Sequence, residues 1–392
     1  MGRTPNVEFR ASEFLSLDVR RSAFDVFWLS IELVQLIRDT IRAGGPVPFA
    51  WFMEQALYHP EHGYYASGRA AIGRHGDYFT NVSVGPVFGR LLAAQFAEIW
   101  ERFGRIDHFV IVEHGAHHGD FARDVLQCAR ERFPKFFGAL RYRIVEPFPI
   151  LQDRQSATLD GFREKVEWTR NLKPFTGVHF SNELLDALPV NLAGKCVGLA
   201  EDEFIFVELP DDSETKANQS TLDWIDIVAA NLRRGFVIVV DYGRPRSRFH
   251  ESVQVRAQHR PLDSPFEQIG DADITMHVNW TDIAERAEAN SLRIAGFTDQ
   301  HHFLTGILST YPDLAQGDSL AQRGSLDSIG LTEQVNDGGK RARELQTLLH
   351  PEMLGRAFQL LGVSKDVDLA QPLSGFKFAR EPRAALELVN AP

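Results

Sequence analysis

The chain has 392 residues, 44% of them apolar, which is enough to bury a large core in one elaborated α/β domain or in two domains. Its formal charge of −11 sets aside a general nucleic-acid or anionic-membrane binder. The two cysteines, Cys128 and Cys196, form no CxxC pair or disulfide framework, and no apolar run is long enough to span a bilayer.

The N-terminal stretch MGRTPNVEFRASEFLSLDVRR mixes acids with arginines and lacks an apolar signal core, so the expectation is a soluble, cytoplasmic protein. In 30–43, Leu33, Ile37 and Ile41 share a helical face, and Gly44-Gly45-Pro46 stops the helix. VPFAWFMEQALYHPEHGYY reads as a short helix and an aromatic loop, and 86–104 as another helix. The pattern then changes to short apolar runs separated by helices. HFVIVEHG (108–115), YRIVEP (142–147), VHFSNELL (178–185) and GFVIVVDYG (235–243) read as strands, with a helix after the first that Asp120 is placed to cap. Strands alternating with helices predict a parallel sheet covered on both faces. CVGLAEDEFIFVELPDD reads as an added hairpin, and 244–275 carries few regular signals. Residues 281–291 and 351–361 read as helices, the latter opened by Pro351 and closed by Gly362, while the polar 315–340 reads as a mobile loop. No internal repeat is present.

The chemistry begins where the first strand ends. IVEHGAHHGDFARDVL is a strand, a glycine-bounded turn and a helix, the layout that brings backbone N–H groups close to a nucleotide. Gly115 and Gly119 bound the turn, but its central position holds His117, whose side chain either fills cofactor space or points away. Glu146 ends the next strand, where an acid can accept from both ribose hydroxyls. A metal reading of Glu113, His114, His117 and His118 fares worse, because Glu113 and His114 face opposite ways along a strand and no second ligand cluster supports them. His118 reads as a polar loop residue.

Several blocks in order then carry a resemblance: GPVPFAWFMEQALYHPEHGYY, GRHGDYFTNVSVGPVFG, VEHGAHHGDFARDVL, YRIVEPFPILQDRQ, SNELLDALPV, VDYGRP, GDADITMHVNW and QTLLHPEMLGRAFQLL. Over about residues 30–380 the chain resembles the MidA-like methyltransferase family, which includes mitochondrial complex I assembly methyltransferases described as protein arginine methyltransferases. The resemblance implies a class I, Rossmann-like α/β fold and S-adenosylmethionine as cofactor. It places Gly115 and Gly119 in the cofactor turn and Glu146 at the ribose. Gly76, Asp77 and Thr80 would form a loop over the cofactor, and Asn182, Glu183 and Asp186 would lie beside the transferable methyl. The family carries glycine where this chain has His117, and a proline where GDYFT is followed by Asn81-Val82. The division implied is an N-terminal extension (1–29), a helical cap (30–104), a Rossmann-like core (105–243), and a substrate-covering insertion with C-terminal completion of the fold (244–392).

Glu183 and Asp186 suit a guanidinium acceptor, because carboxylates can grip its fork and localise its charge. The alternative for Asp186 is a helix or turn cap. Asp241, ending the strongest strand, points toward the crevice or starts the turn at Gly243. Tyr64, Tyr65, Tyr78 and Phe79 either wall the site or pack a lid. His277, Trp280 and His350 receive no role. The leading expectation is a methyltransferase acting on a protein side chain, arginine favoured, with no nucleic-acid or membrane partner. Two alternatives remain open: an assembly factor that keeps the fold with weak or no transferase activity, and a small-molecule O-methyltransferase.

Overall fold

In β1 (Phe109–His114), β2 (Leu140–Val145), β3 (Val166–Thr169), β4 (Phe175–Asn182) and β5 (Leu232–Arg244), short apolar runs form the parallel part of one sheet. These and the other elements come from a computed structural model that describes residues 23–68, 70, 80–208, 218–258, 260–315 and 328–389. Gly76 and Asp77, with Tyr78 and Phe79, lie outside the described residues.

Two later strands complete the sheet, β6 (Arg293–Asp299) and β7 (Phe358–Lys365), giving the order β3-β2-β1-β4-β5-β7-β6. β7 runs antiparallel to both neighbours, and Val278–Asn279 adds a short parallel pairing at the end of β5. The expected α/β architecture with a mostly parallel sheet is thus present.

Side chains alternate across the strands and divide the core in two. Ile111, Val178, Phe180, Phe236, Ile238 and Val240 pack with helices Val87–Arg102 and Asp120–Arg132. Val112, Val237 and Val239 pack on the other face with helices Gln219–Asn231 and Trp280–Ala289. A third cluster joins helices Ala23–Gly44 and Phe49–Tyr58 to two small sheets. One holds the expected hairpin, Lys195–Ala200 with Glu203–Glu208; the other, of Val253–Ala257, Arg260–Leu262 and Asp273–Met276, structures a region with few signals of its own.

Three expectations are corrected. Residues 351–361 are not a helix: 351–357 form turns and Phe358 begins β7. The polar segment 315–340 is helical from 328 onward, within Ser328–Leu349, whose Leu345, Leu348 and Leu349 pack on the core, while 316–327 lie outside the described residues. Gly119, not Asp120, occupies the N-cap position of the helix after β1 and leaves it without a side-chain cap; Asp120 is the first helical residue and pairs with Arg123 at 2.6 Å.

Candidate active site

The turn after β1 is built on left-handed backbone at three positions: Gly115 (φ +82°), His117 (φ +46°) and Gly119 (φ +83°). Glycine adopts this region without penalty, whereas a histidine there carries local strain. The Gly119 N–H donates to the Ala116 carbonyl at 2.7 Å, and among the described residues no side-chain cap bond is made at the start of the following helix. The His117 ring stacks on His118 with centroids 3.8 Å apart and donates to the Ala70 backbone, while its Nε2 meets no partner among the described residues. Burial, with His118 and Arg154 nearby, lowers its pKa to about 3, so the imidazole is neutral.

At the end of β2, Glu146 is 4% exposed, and burial raises its carboxyl above the usual range. One carboxylate oxygen accepts from the Phe148 N–H at 3.0 Å and the other from Gln155 Nε2 at 3.0 Å. Gln155 Nε2 also donates to the His117 carbonyl at 2.9 Å, and Gln155 Oε1 accepts from Trp168 Nε1 at 2.9 Å. One buried amide therefore joins the turn, the end of β2 and the end of β3.

Glu183, just past β4, also has left-handed backbone (φ +52°) and is fixed by donation of its N–H to the Val240 carbonyl at 2.9 Å. Its carboxylate accepts from Asn182 Nδ2 at 2.7 Å and the Asn81 N–H at 3.2 Å, while Asn81 Nδ2 donates to Asn182 Oδ1 at 3.0 Å. Thr80 caps the short helix carrying Asn81 through a reciprocal exchange with Ser83. Burial raises the Glu183 carboxyl to about 8. No ion pair with a cation is formed by Glu183 among the described residues.

Asp241 underlies this loop. Its Oδ2 accepts from the N–H groups of Leu184 (3.1 Å), Leu185 (2.8 Å) and Asp186 (3.4 Å), and its Oδ1 from Tyr242 N–H (2.8 Å). Burial lifts its carboxyl to about 7 despite these donors. Asp186 is also buried, and its carboxyl is pushed well up by burial and by Asp241.

A cavity of about 830 Å³ opens at the C-terminal ends of β1, β2 and β4, the place where open α/β sheets receive ligands. Of the expected residues, Thr80, Gly115, Glu146, Asn182 and Glu183 line it, whereas Gly119 and Asp186 do not. Tyr58, Tyr65 and Phe148 add an aromatic wall, with Tyr58 Oη donating to the Ala187 carbonyl at 3.0 Å and Tyr65 Oη to Asp273 at 2.7 Å. Sequence reading missed Gln155 and Asn81 and left Asp241 between two roles. Apart from the Tyr242 N–H next to Asp241, their partners in the site lie 9 to 102 positions away, and only the position of Asp241 at a strand end gave any signal.

These residues fit a nucleoside cofactor. Glu146 spends two acceptor positions inside the protein and keeps others for a diol, and a Cβ on Gly115 would crowd Leu184 at 3.2 Å. The helix behind the turn offers uncapped N–H groups.

Comparison with known proteins agrees. Residues 91–201 and 199–298 match a family described as "Putative S-adenosyl-L-methionine-dependent methyltransferase". "Protein arginine methyltransferase NDUFAF7 homolog, mitochondrial" from Drosophila melanogaster is 24% identical over 88% of this chain and 88% of its own. The Xenopus tropicalis protein named "Protein arginine methyltransferase NDUFAF7, mitochondrial" is 24% identical over 67% of this chain and 72% of its own. A Burkholderia thailandensis "likely methyl transferase", solved bound to S-adenosyl-homocysteine, superposes with a TM-score of 0.78 at 25% identity, covering 94% of this chain and all of that one. The mitochondrial names overturn the expectation of a cytoplasmic protein. Composition and the lack of an apolar signal core do not distinguish one aqueous compartment from another.

Proposed function

Because this chain belongs to the MidA-like family of S-adenosyl-L-methionine-dependent methyltransferases, we propose that its methyl acceptor is a protein side chain, with arginine favoured. The observation that carries this reading is Glu183, a half-buried cavity-lining acid with no cation paired to it among the described residues. A buried carboxylate costs free energy unless a ligand or partner offsets it, and a guanidinium would supply both charge and donors. The relatives' names as protein arginine methyltransferases support the same choice.

S-adenosylmethionine, when bound, supplies a methyl group made electrophilic by its sulfonium. In this reading Gly115 and Gly119 let the turn approach the cofactor, Glu146 receives the ribose hydroxyls, and Thr80 and Asn182 complete its surround. Gly76 and Asp77 are assigned to the covering loop by family pattern alone. Glu183 orients the acceptor and concentrates its charge on the nitrogens turned away from the methyl, leaving the reacting nitrogen more nucleophilic. Asp186, outside the cavity lining and with burial holding its proton, makes no direct grip on the acceptor. We assign the cap, core and C-terminal completion to the divisions 30–104, 105–243 and 244–392, with 1–29 as an extension.

The test is methyl incorporation from labelled S-adenosylmethionine into peptides that differ only in arginine or lysine. Transfer to the arginine peptide, reduced about 10²–10⁴-fold by Glu183→Gln, is the expected result. Equal transfer by wild type and Glu183→Gln removes that residue from the reaction, and transfer only to lysine or to small hydroxyl compounds overturns the acceptor.

A further inference from the structure

Gln155 is fully buried on the helix Pro149–Thr158, and the way its amide faces is settled by chemistry. An indole N–H can only donate, so the atom 2.9 Å from Trp168 Nε1 must be the amide oxygen. The amide nitrogen then faces two acceptors, the His117 carbonyl at 2.9 Å and a Glu146 carboxylate oxygen at 3.0 Å. Both hydrogens are used, and the amide carries no idle donor. The second oxygen of Glu146 is held by the Phe148 N–H at 3.0 Å, so the carboxylate is fixed from both sides. What remains of its acceptor capacity is directed at the cavity that Glu146 lines.

We propose that Gln155 is a positioning residue for the cofactor: it sets the Glu146 carboxylate in register with the His117 turn so that ribose hydroxyls meet a preformed acceptor. The proposal rests on the assignment of Glu146 to the ribose. It also gives the turn a support that does not depend on glycine at its centre, since the bond is made to the backbone of His117. Trp168, reaching from β3, is the part that keeps the amide from flipping. A flipped amide would set its oxygen against a carboxylate and a carbonyl, an arrangement with no hydrogen to share.

The experiment titrates S-adenosylhomocysteine, and its 2′,3′-dideoxy analogue, into wild type, Gln155→Met and Trp168→Phe by calorimetry. Positioning through the ribose predicts that Gln155→Met weakens S-adenosylhomocysteine by about tenfold or more, the size expected for a buried hydrogen bond to a charged group. Affinity for the dideoxy analogue should change by less than about threefold, because the contact being positioned is already missing from that ligand. Trp168→Phe should show the same pattern at smaller amplitude, and it decides the matter alone if Gln155→Met does not fold. Equal losses for both ligands would reduce Gln155 to a structural residue and overturn the proposal. Unchanged S-adenosylhomocysteine affinity in both variants, with the wild type binding, overturns the positioning role and leaves the methyltransferase reading intact. A wild type that binds neither ligand overturns both.

Discussion

The carboxylate of Asp241 lies 2.8 Å from the backbone N–H of Leu185, and the same oxygen accepts from Leu184 at 3.1 Å. One strand end thereby holds the loop that leaves another, and that loop begins with Glu183 in left-handed backbone. A strained residue persists only where its surroundings fix it. Asp241 provides that fixing from below, and Asn81 and Asn182 provide it from the cavity side.

Asp241→Ala therefore leaves buried N–H groups without an acceptor and frees the loop. The expected cost is about 2–3 kcal/mol of stability, measured by urea unfolding, with a loss of methyl transfer larger than that of cofactor binding. A variant as stable and as active as the wild type would show that the loop is held elsewhere.

How much of this was readable beforehand depends on distance along the chain. The acids Glu146 and Glu183 stood out because each follows an apolar run at the end of a strand, a local pattern. Gln155 offered no such pattern, since its importance lies in bonds to His117 and Trp168, brought to it by folding. The same limit applies to the fold. Residues 351–361, which end in the FQLL of FQLLGVSK, read as a helix because Pro351 opens the stretch and Gly362 closes it. Pairing with β5 and β6 makes FQLLGVSK a strand, since tertiary context decides between helix and strand for a short apolar run. β3 is only four residues long, and with few alternating positions it left no clear signal.

The pH dependence of stability has a definite sign. Burial raises Glu183 and Glu113 to about 8 and Asp241 to about 7, all above ordinary carboxylates. The folded protein thus holds protons that the unfolded chain releases. Their stabilising contribution is complete below the unfolded values near pH 4 and is lost as pH rises through about 7 to 8. Thermal unfolding of the ligand-free protein should show a midpoint falling between about pH 7 and pH 8, above the range in which the buried His114, His117 and His179 act in the opposite direction, with a shallower fall in Glu183→Gln. A midpoint that rises over this range would contradict the burial argument.

His117→Gly removes a side chain from left-handed backbone but keeps the carbonyl that Gln155 holds. Cofactor affinity should stay within about threefold of wild type, since the supporting bond is to backbone. A gain of tenfold or more on this substitution would identify the imidazole as an obstruction.

His179 is fully buried, and neither ring nitrogen has a hydrogen-bond partner among the described residues. Burial, with His114 beside it, keeps it neutral by driving its pKa well below the usual value. Its ring lies against Trp224 with centroids 5.4 Å apart, in an otherwise apolar cluster. Replacing an unsatisfied polar group with an apolar one of similar size should stabilise, so His179→Leu is expected to add about 1 kcal/mol in urea unfolding. Destabilisation would place an ordered water on the ring.

The most direct test of the central claim is calorimetric titration of the wild-type protein with S-adenosylmethionine, run beside Glu146→Ala. The account predicts saturable binding of one cofactor per chain, weakened by about tenfold or more in Glu146→Ala. No heat of binding to the wild type, or equal affinity in the two proteins, would contradict a cradle formed by the turn after β1 and the acid after β2.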